Sequence, residues 1–309
     1  MDLVPEMEVS MSTRTQAAAL VLAIAVLSHS ELGISATSEA ENIPQRVTLP
    51  RSEVHQIRSE INGRDYDLLV ALPMGYSAAA KARYPVLYVL DGGGFLALTA
   101  QAHMLMQLNE EVPPLILVGI HAQSGSIMEY LANRVLDFTP TRNLEAETEG
   151  TAEYGHEVRS GGGDDFLRVL VEEIIPWTEG RYLTAPERGL AGFSYGGLFA
   201  IHALLRAPRA FTHYLIGSPD LNWDDAVMFE REAAYAAENK ELKARVFMSV
   251  GSLEEYFYVP NMLRMAETLT SHDYTGLEVM SHIFEGETHQ SVIPATMSRG
   301  MRFLFGTPE

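Results

Sequence analysis

The chain has 309 residues, no cysteine, and 41 Asp and Glu against 22 Lys and Arg, a formal net charge of −19. A chain of that length can bury a large core, and the absence of Cys excludes a disulfide scaffold, a thiol nucleophile and thiolate-ligated zinc or iron–sulfur sites. The acidic balance argues against nucleic acid as a partner and against long-range attraction of polyanions, both of which need a basic face.

The first element is an apolar run of eleven residues, Ala17 to Leu27, preceded by Arg14 and followed by small residues at Ser35, Ala36, Ser38 and Ala40. These are the three parts of a secretory signal, and the run is too short to span a bilayer comfortably. Asp2, Glu6 and Glu8 do not suit such a leader, so Met11 is a candidate start. On this reading residues 1–40 are a signal peptide with its processing region, and the protein is periplasmic or secreted. Without them, 36 acids and 21 bases remain, a net charge of −15. Residues 41–309 are expected to form a single domain, because no Pro/Gly linker or internal repeat divides them.

Val54–Leu72 reads as a β-hairpin, with Asn62-Gly63 as a type I′ turn. Apolar strands follow at Pro85–Asp91, Leu115–His121, Leu190–Gly192, Tyr214–Ser218 and Val246–Gly251, with another at Leu277–Phe284. Their continuous apolar character predicts burial on both faces, as in a parallel sheet. Helical patterns lie around Leu98–Leu108, Phe166–Trp177, Leu198–Leu205, Asp224–Lys240, Val259–Ser271 and Met297–Phe305. The alternation predicts a doubly wound, mostly parallel α/β sheet with an antiparallel N-terminal hairpin. Residues 123–163 break the rhythm: the stretch is acidic, ends in Gly161-Gly162-Gly163, and reads as a long loop that is either a lid or a solvated excursion.

Arg188–Gly197 reads R-G-L-A-G-F-S-Y-G-G and runs into an apolar helix. It fits the G-x-S-x-G nucleophile elbow, with Ser194 in a sharp turn between strand and helix. Gly192 and Gly196 would remove Cβ atoms that collide there, and Gly197 would let the helix pack closely. A serine nucleophile needs a base, and the base an orienting acid. His289, in the loop after Leu277–Phe284, is the expected base, while His282 sits within that strand. His121 ends an earlier strand and lines the pocket as an alternative role; His103, His202 and His213 read as ordinary helix or strand residues. Glu254, after the Val246–Gly251 strand, is the expected acid, with Glu255, Asp220, Asp224 and Asp225 as alternatives. The oxyanion donors are expected to be the N–H groups of Tyr195 and of Gly93, in Asp91-Gly92-Gly93-Gly94-Phe95. This chemistry calls for no metal or organic cofactor.

These segments resemble the Putative esterase family of α/β-hydrolases, which includes S-formylglutathione hydrolase, the mycolyltransferases and the siderophore trilactone esterases. The resemblance covers about residues 46–305. It is carried by L-D-G-G-G-F, R-V-L-D-F-T-P-T, F-L-R-V-L-V-E-E-I-I-P, G-F-S-Y-G-G, I-G-S-P-D-L-N-W, V-G-S-L-E-E and F-E-G-E-T-H. It implies the α/β-hydrolase fold and hydrolysis of a small-molecule carboxylic ester, with Ser194 as nucleophile, His289 as base and Glu254 as acid. In the periplasmic trilactone esterases the acid is weak or absent. A ferric-siderophore esterase would need a local basic cluster to hold an anionic complex, for which Arg134 and Arg142 are the candidates. An acyltransferase would use the same serine, and a non-enzymatic binding protein would be expected to have lost Ser or His. Phe95, Leu96, Tyr195, Trp223, Tyr256 and Phe257 are candidates to line an aromatic pocket.

Overall fold

The computed structural model describes residues 48–306, so the leader read in residues 1–40 lies outside the described residues. Eight strands form one sheet in the order β1-β2-β4-β3-β5-β6-β7-β8. They are β1 (Ser52–Arg58), β2 (Asp65–Ala71), β3 (Tyr84–Val89), β4 (Ile116–Ala122), β5 (Thr184–Phe193), β6 (His213–Gly217), β7 (Glu241–Gly251) and β8 (Thr275–Phe284). β2 pairs antiparallel with β1 and β4, and every other pairing is parallel. This is the doubly wound, mostly parallel sheet that the strand–helix alternation predicts, and the α/β-hydrolase fold that the resemblance implies.

Side chains alternate across the sheet and divide the core in two. Along β3, Val86 and Tyr88 join one cluster and Leu87 and Val89 the other. The second cluster is closed by α1 (Gly92–Leu108) and α9 (Ile293–Phe305), through Leu96, Met106, Met297 and Met301. The first is covered by α2 (Ile127–Phe138), α4 (Gly163–Arg168), α6 (Tyr195–Arg206), α7 (Trp223–Glu238) and α8 (Tyr258–Ser271). The central strands are buried on both sides, which explains their unbroken apolar runs.

Three local expectations are corrected. The hairpin closes at Arg58↔Asp65, so its connection is six residues rather than a two-residue type I′ turn. Gly63 alone takes a positive φ, 70°, while Asn62 spends its side chain on the Arg64 amide and the Tyr66 hydroxyl. The stretch read as a long loop at 123–163 contains two helices, α2 and α3 (Leu144–Tyr154). Ser126 caps α2 by accepting from the Glu129 amide, Asn143 caps α3 by accepting from the Ala146 amide, and Gly155 ends α3 at φ 67°. α3 buries no residue, so its sequence carries no apolar stripe to betray it. The helix expected over Phe166–Trp177 is α4, a π-helical turn (Val169–Ile174) and α5 (Ile175–Glu179). Pro176 has no N–H to offer, and the Ile175 amide reaches five residues back to Leu170.

Candidate active site

The carboxyl ends of β3, β5, β7 and β8 lie along one edge of the sheet, and each delivers one expected site residue. Ser194 follows β5, with φ 58° and ψ −119°, a conformation that costs a non-glycine residue roughly 1–3 kcal/mol. Its amide donates to the Gly217 carbonyl at 3.0 Å, which holds the turn against β6. A Cβ on Gly192 would come 2.0 Å from the Gly196 carbonyl oxygen, and one on Gly197 would come 2.8 Å from that of Gly217. Those two glycines are sterically required. Gly196 is not: its Cβ would approach the Asp91 carboxylate at 3.4 Å, an ordinary contact.

Glu254 sits in the turn after β7 with its side chain fully buried. One carboxylate oxygen accepts from the Ser218 hydroxyl and from the Gly251 amide, each at 2.6 Å. The other lies 2.6 Å from His289 Nδ1. Three donors around a buried carboxylate compensate its desolvation. His289 follows β8 and lies between the rings of Phe193 and Tyr258, each 4.7 Å away centre to centre. With Nδ1 engaged by Glu254, Nε2 is the nitrogen left to take a proton from a nucleophile. His282 lies within the edge strand β8, its ring against Phe284. Glu255 is exposed, and Asp224 and Asp225 sit in a left-handed turn that opens α7.

The Gly-rich segment after β3 is the first turn of α1. The Gly94 and Phe95 amides turn back onto the Asp91 carbonyl, at 2.9 and 3.1 Å. The Gly93 amide, in the first turn, has no carbonyl to meet within the helix. Gly92 lets the helix start lie directly on β4: its Cβ would fall 2.4 Å from the Gly119 carbonyl carbon. Gly93 is needed for a different reason, since its Cβ would fall 2.8 Å from His121 Nδ1. His121 therefore stands behind the candidate oxyanion loop, stacked on Tyr130 at 4.2 Å, and burial lowers its pKa. The Tyr195 amide opens α6 on the other side of Ser194, where helix-end donors favour a developing negative charge.

The two arginines expected to form a basic cluster have carboxylate partners. Arg134 makes a two-pronged pair with Asp91, Nε to Oδ1 and Nη2 to Oδ2 at 2.7 Å each, and its guanidinium lies over the Phe138 and Tyr195 rings. The Tyr130 hydroxyl also donates to Asp91. Arg134 is thus a clamp beneath the site, tying α2 to the start of α1. Arg142 is exposed and paired with Glu147 at 3.1 Å. Trp223 is buried, donates from Nε1 to the Thr141 hydroxyl at 3.1 Å, and meets the Tyr195 ring edge-on at 5.6 Å. Leu96 is a core residue, Phe95 packs on Phe193, and Tyr256 is 91% exposed.

Sequence reasoning missed two site residues. Tyr258 opens α8, is almost fully buried, stacks on Phe257 at 4.5 Å, and carries its hydroxyl beside Ser194. Burial, with Asp220 nearby, raises its pKa far above the ordinary range, so it is a neutral donor. Ser218 supports Glu254 from the end of β6. The only sequence signal for either was position: Ser218 follows β6, next to the elbow strand, and Tyr258 follows β7, one strand further out.

The Putative esterase family model matches residues 59–291. The chain is 28% identical over 268 residues to the ferri-bacillibactin esterase BesA of Bacillus subtilis, across 83% of this chain and 90% of that one. It is 25% identical over 291 residues to a siderophore triacetylfusarinine C esterase of Aspergillus fumigatus, across 85% and 96% of the two chains. Among solved structures, the BES protein of Bacillus cereus superposes with a TM-score of 0.74 at 28% identity, covering 88% of this chain and 100% of that one. An IroE-like serine hydrolase of Shewanella oneidensis gives a TM-score of 0.70 at 28% identity, covering 82% and 80%.

Proposed function

The chain belongs to the Putative esterase family of carboxylic-ester hydrolases, and from that premise we propose that it opens siderophore esters through an acyl-enzyme on Ser194. The observation that carries the mechanism is the buried Glu254 carboxylate, 2.6 Å from His289 Nδ1 at the strand end beyond the elbow. The substrate class rests on the relatives named as siderophore esterases.

In the first step Ser194 Oγ attacks the ester carbonyl as His289 Nε2 takes its proton. Glu254 holds the imidazole in the tautomer with its proton on Nδ1 and stabilises the imidazolium that forms. The Gly93 and Tyr195 amides receive the oxyanion. His289 then gives its proton to the leaving alcohol, and water activated by the same nitrogen releases the acid from the serine. A quarter of the His289 side chain is exposed, which leaves that water a path.

The leader pattern around Ala17–Leu27 supports a periplasmic or secreted site of action, and fractionation of cells expressing the full chain tests it. The enzymatic test uses the full chain with a macrocyclic siderophore trilactone, with and without iron, following ring opening by chromatography. Ring opening is expected, and Ser194→Ala should lose at least a thousandfold in kcat. Full activity in Ser194→Ala would overturn the nucleophile. A protein that cleaves short acyl esters but leaves every siderophore lactone intact would overturn the substrate class.

A further inference from the structure

Asp220 is a carboxylate beside the nucleophile that the two-step mechanism does not use. Its amide donates to the Ser194 carbonyl at 3.2 Å, so its backbone is fastened to the elbow itself. It follows Ser218, whose hydroxyl supports Glu254, and Pro219, which packs against Gly197. The side chain is half-buried, within electrostatic reach of Tyr195 from α6, Tyr258 from α8, His289 from the loop after β8 and Glu255 from the turn after β7.

Among the described residues no Lys or Arg pairs with Asp220. Its one charge-stabilising neighbour in the backbone is the Asn222 amide, and Glu255 adds a second negative group. Arg134 is bound through Nε and Nη2 to both oxygens of Asp91, and Nη2 also reaches the Phe193 carbonyl. Arg142 faces Glu147. The ground beside the nucleophile therefore carries an uncompensated carboxylate and no uncompensated arginine.

We propose that Asp220 is a specificity-determining residue, selecting esters that present a cationic or hydrogen-bond-donating group beside the scissile carbonyl and rejecting those that present an anion there. The inference rests on Ser194 being the nucleophile, and it deepens the siderophore reading. Among such lactones it favours those whose groups near the cleaved ester are neutral or protonated. A group with net negative charge would have to approach Asp220 and Glu255 without an arginine to meet it, in a half-buried setting where like charges are poorly screened.

Burial pushes the Asp220 carboxyl up to about 6, against the lowering influence of His289. The selection is therefore complete above neutral pH and fades as the pH falls through about 6, where Asp220 takes up a proton. His289 serves as base for all three substrates alike, so its contribution cancels in a ratio between them.

The experiment uses three p-nitrophenyl esters with the same four-carbon acyl chain, ending in trimethylammonium, tert-butyl or sulfonate. kcat/KM is measured for the full chain at pH 8 and pH 5 and at low salt, each value divided by that of the tert-butyl ester. At pH 8 the cation is expected to gain, and the sulfonate to lose, on the order of tenfold. At pH 5 both ratios should contract toward one, a readout that needs no variant. Asp220→Asn should flatten the order at pH 8, and Asp220→Glu should restore it. A sulfonate ester that is preferred, or an order unchanged at pH 5 and in folded Asp220→Asn, overturns the inference. A flat order in a protein that opens siderophore lactones refutes this inference alone. The stated order in a protein that opens none refutes the siderophore reading alone.

Discussion

Glu254→Gln tests the site at its most closely bonded point. The wild-type carboxylate accepts three hydrogen bonds of 2.6 Å, two on one oxygen from Ser218 and Gly251 and one on the other from His289 Nδ1. A glutamine can keep the first two only by placing its carbonyl oxygen toward Ser218 and Gly251. Its NH2 group then faces His289 and donates to Nδ1, which forces the proton onto Nε2. That is the nitrogen that must accept the serine proton, so the imidazole is presented in the wrong tautomer. The loss of imidazolium stabilisation adds to this. Together they should lower kcat by about 10³–10⁴, with KM changed little, since the substrate does not touch Glu254. The same change replaces charged acceptors by a neutral one at a buried position and should lower stability by about 1–3 kcal/mol. Steady-state hydrolysis of a p-nitrophenyl ester gives the first quantity and urea unfolding the second. A folded Glu254→Gln protein within tenfold of wild-type kcat would refute the argument, because it would mean that His289 is oriented without this carboxylate.

Tyr258→Phe keeps the ring against His289 but removes the buried hydroxyl beside Ser194, and should lower kcat about tenfold with KM held within twofold, measured with the same ester. Ala226 stands at φ 62°, the third residue of the left-handed turn that opens α7, so Ala226→Gly should raise the unfolding free energy by about 1 kcal/mol, read by thermal melting. His202 is 1% exposed, and burial with Arg231 nearby pushes its pKa down to about 4. Its folded pKa lies below the unfolded value of 6.5, so the unfolded chain binds the proton more readily between the two. Stability should therefore be full above about pH 6.5 and fall toward pH 4 at up to about 1.4 kcal/mol per pH unit, and His202→Gln should flatten that slope in urea titrations across the range.

What could be read in the sequence was whatever depends on local chain geometry. The elbow is legible because Gly192 and Gly197 are enforced by backbone atoms within a few residues or on the next strand, and steric demands of that kind leave a fixed pattern. The parallel strands are legible because β3 and β6 are buried on both faces, which removes the polar positions that would otherwise interrupt them. Helix α3 was illegible for the converse reason: it buries nothing, so its order comes from the Asn143 cap, the Gly155 stop and Glu147, which accepts from Arg142 and Ser160. Its signal lay in caps and not in periodicity.

Charge in the site was the hardest feature to read, because pairing is a property of space and not of sequence. Arg134 and Asp91 are 43 positions apart, yet they form a buried two-pronged pair that turns an apparent substrate ligand into a strut. Breaking such a pair leaves a buried charge unmatched, so Arg134 is held to Asp91 far more strongly than a passing anion would hold it. Glu254 shows the opposite case. Nothing in V-G-S-L-E-E separates it from Glu255, but the Gly251 amide and the Ser218 hydroxyl converge on it alone, and only a strand order that puts β6 beside β7 can bring them there. The same order leaves Asp220 beside Ser194 with no cation to answer it, so the sign of the charge at this site follows from topology more than from the chain's net −19.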